Sequence, residues 1–182
     1  MEYFVTANGT TLHVSDSEKG EKSLLFLHGY LETLYIWEDF RELIPESFRF
    51  ISLDLPGHGL SGSHPTSNDM SFVADVLADL MNKKSLKDVA VIGHSMGGYV
   101  ALAMMDNYAA NLASITLLSS TTSADSQEKC DRRRREIELI KAGKKNTLAR
   151  LVPHQGFAPE NVKRLNDWIE DLRELILITE DE

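Results

Sequence analysis

Short strand-like runs of apolar and β-branched residues open the chain. Residues 3–6 and 11–14 carry this pattern on either side of Asn8-Gly9, a pair that favours a two-residue hairpin turn, so an N-terminal hairpin is predicted. Four short apolar runs follow, at 23–27, 49–53, 89–92 and 115–118, and these read as buried strands. Between them the period lengthens. Trp37, Phe40, Leu43 and Ile44 recur at helical spacing across 37–44, and Phe72, Val73, Val76, Leu77 and Leu80 do so across 71–82. A third helical segment, 100–108, follows the third of the four runs. Strands alternating with helices predict an α/β fold with a mostly parallel sheet covered on both faces.

Beyond Ser120 the pattern changes. Residues 121–182 are richer in charge and read as helical, with helices expected over 126–142 and 161–178. Gly143, Pro153, Gly156 and Pro159 punctuate the stretch between them, which reads as loop. Val162, Leu165, Trp168, Ile169, Leu172, Leu175 and Ile176 form one stripe, so the last apolar residues are assigned to helix rather than to a strand starting at Leu175. The expected organisation is a core over 1–123 and a helical cap over 124–182.

A length of 182 residues suits one domain with a sizeable core. The formal charge of −9 disfavours nucleic acid and anionic membranes as partners, because phosphate binding needs clustered positive charge. Cys130 is the single cysteine, so neither an internal disulfide nor a cysteine metal site is expected. The N-terminus lacks the pattern of a secretory leader, and no apolar run approaches the roughly 20 residues of a membrane span. A cytoplasmic location is expected, with no metal and no cofactor.

Chemistry concentrates at three strand ends. The run 89–92 leads into Gly93-His94-Ser95-Met96-Gly97-Gly98, a Gly-x-Ser-x-Gly between a strand and a helix. That context makes a nucleophile elbow, with the serine on a sharp turn and the helix amino end facing a developing oxyanion. The Met96 N–H is one expected donor to that oxyanion. Leu27-His28-Gly29-Tyr30 ends a second strand and supplies the Tyr30 N–H as the other. The third element, Asp54-Leu55-Pro56-Gly57-His58-Gly59-Leu60-Ser61-Gly62, follows the strand at 49–53. His28, Asp54 and His58 are read as groups that brace loops rather than move protons.

In these three motifs, their order and their spacing, the chain resembles the α/β-hydrolase superfamily, over roughly residues 3–123. The likeness is closest to the esterase, peroxidase-like and C–C-hydrolase branch, since Ser95 stands where dehalogenases and epoxide hydrolases carry aspartate. The segment from Ala124 onward resembles the cap such enzymes insert after the sixth strand. The resemblance implies Ser95 as nucleophile, the Tyr30 and Met96 amides as oxyanion hole, and a small-molecule ester or related acyl compound as substrate. Family members place the triad acid and histidine beyond the cap. Two further strand–helix units need on the order of 50 residues, so the last two strands are expected to be missing and activity to be slight. Asp181 approximates the acid only if a strand begins at Leu175.

Substitutes from within the chain are Asp125 and His154, which keep the order Ser, Asp, His. Against that triad, His154 falls in the stretch read as a cap loop. His94 is expected to point away from Ser95, and His13 and His64 to be solvated. Arg132 to Arg135 read as a salt-bridged helix face, pairing Glu128 with Arg132 and Asp131 with Arg135. Cys130, Trp37 and Trp168 read as ordinary packing residues. The competing class is a non-catalytic binding or interaction protein on a truncated hydrolase fold. A third possibility is an enzyme completed by a second polypeptide. Oligomeric state and the identity of the substrate are not encoded in these motifs.

Overall fold

A computed structural model describes residues 1–64 and 68–178. Six strands form one sheet: β1 (Glu2–Ala7), β2 (Thr10–Asp16), β3 (Lys22–Leu27), β4 (Phe48–Leu53), β5 (Val89–His94) and β6 (Leu112–Leu118), in the order β1-β2-β4-β3-β5-β6. The pairs β3/β4, β3/β5 and β5/β6 are parallel, while β1/β2 and β2/β4 are antiparallel. Asn8 and Gly9 both take positive φ, 42° and 79°, as the tight turn of the β1–β2 hairpin requires. The four predicted core strands are all present, each one to three residues longer than its apolar run.

The central strands are covered on both faces, and the two faces differ. Leu25, Leu27, Ile51, Leu53, Val89 and Val91 join the main core with Val73, Val76, Leu77 and Leu80 of α2 (Met70–Lys83) and Val100, Ala101 and Met104 of α3 (Met96–Tyr108). The alternate positions Phe26 and Phe50 stack at 4.5 Å and pack with Trp37 against Leu24 and Ile92. Asp69 caps α2 by accepting the Phe72 N–H at 2.8 Å.

The helix expected over 37–44 is not continuous. A 3-10 turn spans Leu34–Trp37, and one helical turn, α1 (Glu38–Arg41), follows. Leu43 and Ile44 then donate to Phe40 and Arg41, three residues back rather than four, and Leu43 is exposed. Pro45 comes next and cannot continue the ladder.

The chain divides into two compact units, Met1–Thr122 and Ser123–Glu182. The second holds α4 (Gln127–Lys141), α5 (Lys145–Gln155), α6 (Pro159–Val162) and α7 (Asn166–Ile178). Ser126 caps α4, accepting the Lys129 N–H at 3.3 Å. Gly143, at φ 68°, ends it, while Gly143 and Lys144 donate to Ile140 and Leu139. The loop expected after Gly143 is instead α5. Pro153 sits in its last turn, where it removes a single ladder bond, and is buried with Leu148 and Ala149. The helix expected over 161–178 is broken between α6 and α7. α7 carries the predicted stripe into the interior through Ile169 and Ile176 and reaches Ile178, as the helical assignment required. Asp181 lies outside the described residues.

Candidate functional site

Ser95 sits between β5 and α3 at φ 49°, ψ −110°, a conformation that costs an L-residue about 1–3 kcal/mol. The surroundings force it. Its N–H donates to Leu118 O at 3.0 Å, and its C=O accepts the Ser120 hydroxyl at 2.8 Å and the Gly98 N–H at 3.1 Å. The three neighbouring glycines let strand and helix close on each other. A Cβ on Gly93 would lie 2.3 Å from Gly97 O, one on Gly97 2.4 Å from Leu27 O, and one on Gly98 2.3 Å from Ser120 Oγ. Ser95 is half-buried, and its Oγ has no hydrogen-bond partner among the described residues.

Because a peptide is planar, fixing its carbonyl aims its N–H in the opposite direction. The Ser95 carbonyl and the Met96 N–H share one peptide, so Ser120 and Gly98 together orient the Met96 donor. Met96 opens α3, where first-turn N–H groups have no intrahelical acceptor. The same construction recurs at Tyr30. His28 Nδ1–H donates to Gly29 O at 2.8 Å, and Gly29 O shares its peptide with the Tyr30 N–H.

His28 is fully buried, and its Nε2 accepts the Leu55 N–H at 2.9 Å. Both ring nitrogens are engaged, which fixes the neutral tautomer. Burial pushes its pKa down to about 3, and the neighbouring His58 adds to the effect. His28 therefore braces the loop. Asp54 does the same on the other side: its carboxylate accepts the N–H groups of Leu34 at 2.7 Å and Leu60 at 2.9 Å while fully buried. Gly59, at φ 53°, makes room, since a Cβ there would strike the Asp54 carboxylate. His58 is also held neutral by burial and contacts Pro56 O at 3.3 Å.

His13 departs from expectation. It is buried, not solvated, with Nδ1–H donating to Asp54 Oδ2 at 2.8 Å and Nε2 3.4 Å from Glu2 Oε2. The cause is topological: β2 pairs with both β1 and β4, so neither edge of its strand is open. His64 is half-buried, its ring 4.6 Å from that of Phe72.

His94 points into a partner other than Ser95. Its Nδ1–H donates to Glu32 Oε2 at 2.9 Å, and this hydrogen bond raises its pKa above the ordinary imidazole value against the opposing effect of burial. No local pattern links residues 62 apart in sequence, so the sequence does not single out Glu32, nor Ser120. For Glu32 the nearby His28-Gly29-Tyr30 motif is the only signal, and Ser120 has none.

Asp125 and His154 belong to the second unit, and nothing joins them there. Asp125 pairs with Arg133 Nε at 2.8 Å. His154 lies in α5 rather than in a loop, is exposed, and its ring makes no hydrogen bond among the described residues. The arginine run is salt-bridged with different partners from those its spacing suggested: Arg132 faces Glu136 at 3.9 Å, and Arg134 faces Asp131 at 3.0 Å. Among the described residues no cluster of His, Cys, Asp or Glu fits a metal ion, and no helix is long and apolar enough to cross a membrane.

A family model described as the alpha/beta hydrolase fold matches residues 22–138. An AB hydrolase superfamily protein of Bacillus subtilis is 30% identical over 179 residues, covering 93% of this chain and 66% of its own length. A putative non-heme haloperoxidase of Mycobacterium phage D29 is 31% identical over 149 residues, covering 81% of this chain and 50% of its own length. Among solved structures, a thermophilic esterase from Thermogutta terrifontis superposes with a TM-score of 0.88 at 28% identity, covering all of this chain and 68% of that one. The chain thus spans about a third to two thirds of the length of several curated relatives that it matches. By the family match and by its six-stranded, mostly parallel sheet, the chain belongs to the alpha/beta hydrolase family.

Proposed function

We propose that the chain carries the nucleophile half of a serine-dependent hydrolase acting on a small carboxylic ester or related acyl compound. The observation that carries the reading is the strained backbone of Ser95 at the β5–α3 junction, with the Ser95–Met96 and Gly29–Tyr30 peptides each clamped by hydrogen bonds. Ser95 Oγ attacks the substrate carbonyl carbon, and the electron pair moves onto oxygen. The Tyr30 and Met96 N–H groups hold that oxyanion, and its collapse expels the alcohol and leaves an acyl-enzyme for water to release. The likeness to an esterase at 28% identity supports an ester as the compound cleaved.

The Ser95 proton needs an acceptor. His28 and His58 are buried and neutral with their own partners, His13 is engaged by Asp54, and His94 by Glu32. In serine hydrolases loss of the base lowers turnover by on the order of 10⁶-fold, so with these four histidines committed elsewhere the first unit alone is expected to sustain only slow acylation. The same observation favours a second reading, a binding protein that has kept the elbow without its chemistry. A cytoplasmic location and small-molecule rather than macromolecular partners complete the proposal.

The test is labelling by a serine-reactive fluorophosphonate, with Ser95→Ala as control. Labelling confined to the wild type supports the nucleophile, and equal labelling of both proteins refutes it. No labelling of a cooperatively folded wild type favours the binding protein.

A further inference from the structure

The residues after β3 close into a tight turn. The Glu32 N–H donates to Gly29 O at 3.4 Å, and Leu31, the third residue of the turn, takes a left-handed φ of 59°. Left-handed backbone disfavours a leucine by roughly 1–2 kcal/mol, so the turn needs a restraint. The Glu32 carboxylate supplies one. Its Oε2 accepts the Gly29 N–H at 2.5 Å and the His94 Nδ1–H at 2.9 Å. One oxygen therefore joins the first residue of the turn to the last residue of β5, whose neighbour is Ser95. The pair also occupies the space above Gly29, where a Cβ would meet Glu32 Oε2 at 2.8 Å and His94 Nδ1 at 3.1 Å. Trp37 stands edge-on to the imidazole, with ring centroids 6.4 Å apart.

We propose that Glu32 is a positioning residue that clamps the Tyr30-bearing turn to the nucleophile elbow through the Gly29 N–H and the His94 imidazole. The inference rests on the assignment of Ser95, Tyr30 and Met96 above. Tyr30 lies inside the turn whose two ends Glu32 holds, so the aim of its N–H depends on that carboxylate. Charge adds a second effect. A carboxylate beside a developing oxyanion opposes it, and an imidazolium at His94 compensates. Among the described residues His28 interacts electrostatically with His94, and His58 with Glu32, and burial holds both neutral, while Asp54 beside His58 is committed to His13. Protonation of His94 is therefore the variable charge, and the Glu32 hydrogen bond favours it.

Fluorophosphonate labelling of the full chain tests this. The Ser95 Oγ–P bond forms as P–F breaks, with fluoride leaving and the hydroxyl proton passing to solvent. Glu32→Ala is expected to lower the maximal labelling rate by on the order of 10²-fold, with the half-saturating reagent concentration little changed. Glu32→Gln keeps an acceptor for the Gly29 N–H without the charge. It is expected to recover most of the rate, and the ratio of wild-type to Glu32→Gln rates falls as pH rises through the His94 value. Wild-type labelling of Glu32→Ala at every pH, or a change in half-saturation alone, overturns the clamp. NMR provides an arm independent of reactivity. The Gly29 and Tyr30 amide signals follow the His94 titration in the wild type, and that coupling is lost in Glu32→Met, which fills the space without an acceptor. Coupling that persists in Glu32→Met overturns the clamp, also if Glu32→Ala fails to fold. Should wild type and Ser95→Ala label alike, the nucleophile assignment fails, and the amide signals alone decide the clamp.

Discussion

The two compact units are held together by different physics. In Met1–Thr122 polar side chains are taken into the interior and matched there: Asp54 with two amides and His13, His28 with an amide and a carbonyl, Asp16 with Arg49 at 2.7 and 2.9 Å. Only Thr10 Oγ1 and Trp37 Nε1 are buried side-chain atoms without a partner among the described residues. In Ser123–Glu182 the polar groups stay outside. α4 has no buried residue, and its ion pairs join exposed or half-exposed side chains. Buried matched polar groups specify one arrangement sharply, because each orphaned partner is expensive, whereas exposed pairs contribute little and tolerate exchange. Chemistry that depends on tenths of an ångström belongs in the first kind of environment.

The largest effect expected from breaking this contrast is at Asp54. Asp54→Ala orphans the Leu34 and Leu60 amides and removes the His13 partner, and should destabilise the protein by about 3–5 kcal/mol in urea unfolding. A loss below about 1 kcal/mol would place the two units on the same footing.

Acid sharpens the comparison further. Folding lowers the His28 pKa from 6.5 to about 3, so its contribution is complete above 6.5 and is lost as pH falls from there toward 3. The slope from His28 alone is about 1.4 kcal/mol per pH unit. Burial of His58 acts in the same direction, whereas the second unit has only the exposed His154. His28→Gln should flatten the stability–pH curve of the wild type in this window, and an unchanged slope would exclude His28 as its source.

The smallest effects are expected in the second unit. Ser126→Ala should cost about 1 kcal/mol through loss of the α4 cap. Arg134→Ala, which breaks an exposed pair, should stay within about 0.5 kcal/mol. A larger loss at Arg134 than at Ser126 would show that surface charge, not capping, holds α4.

These differences also account for what the sequence disclosed. Strands and elbow were legible because their signals are local: apolar runs of strand length, and glycines at spacings that only a close strand–helix approach demands. His13 departs from expectation because a histidine in a hairpin looks exposed until the pairing of β2 with β4, almost forty residues on, is known. Pro153 looks like a breaker by residue type alone, although a helix can hold it in its final turn. Glu32 and Ser120 act on backbone atoms of distant segments, and nothing in their own neighbourhoods announces the target.

The attachment of Ser95 to the far end of β6 has a practical side. Its amide is bound by Leu118 and its carbonyl by Ser120, so the end of β6 and the two residues after it are part of the elbow's foundation. A protein engineer wishing to transplant a different helical segment onto this scaffold should make the junction after Ser120. A splice at Leu118 or earlier would retain every recognised motif residue and still let the serine settle out of its strained pose.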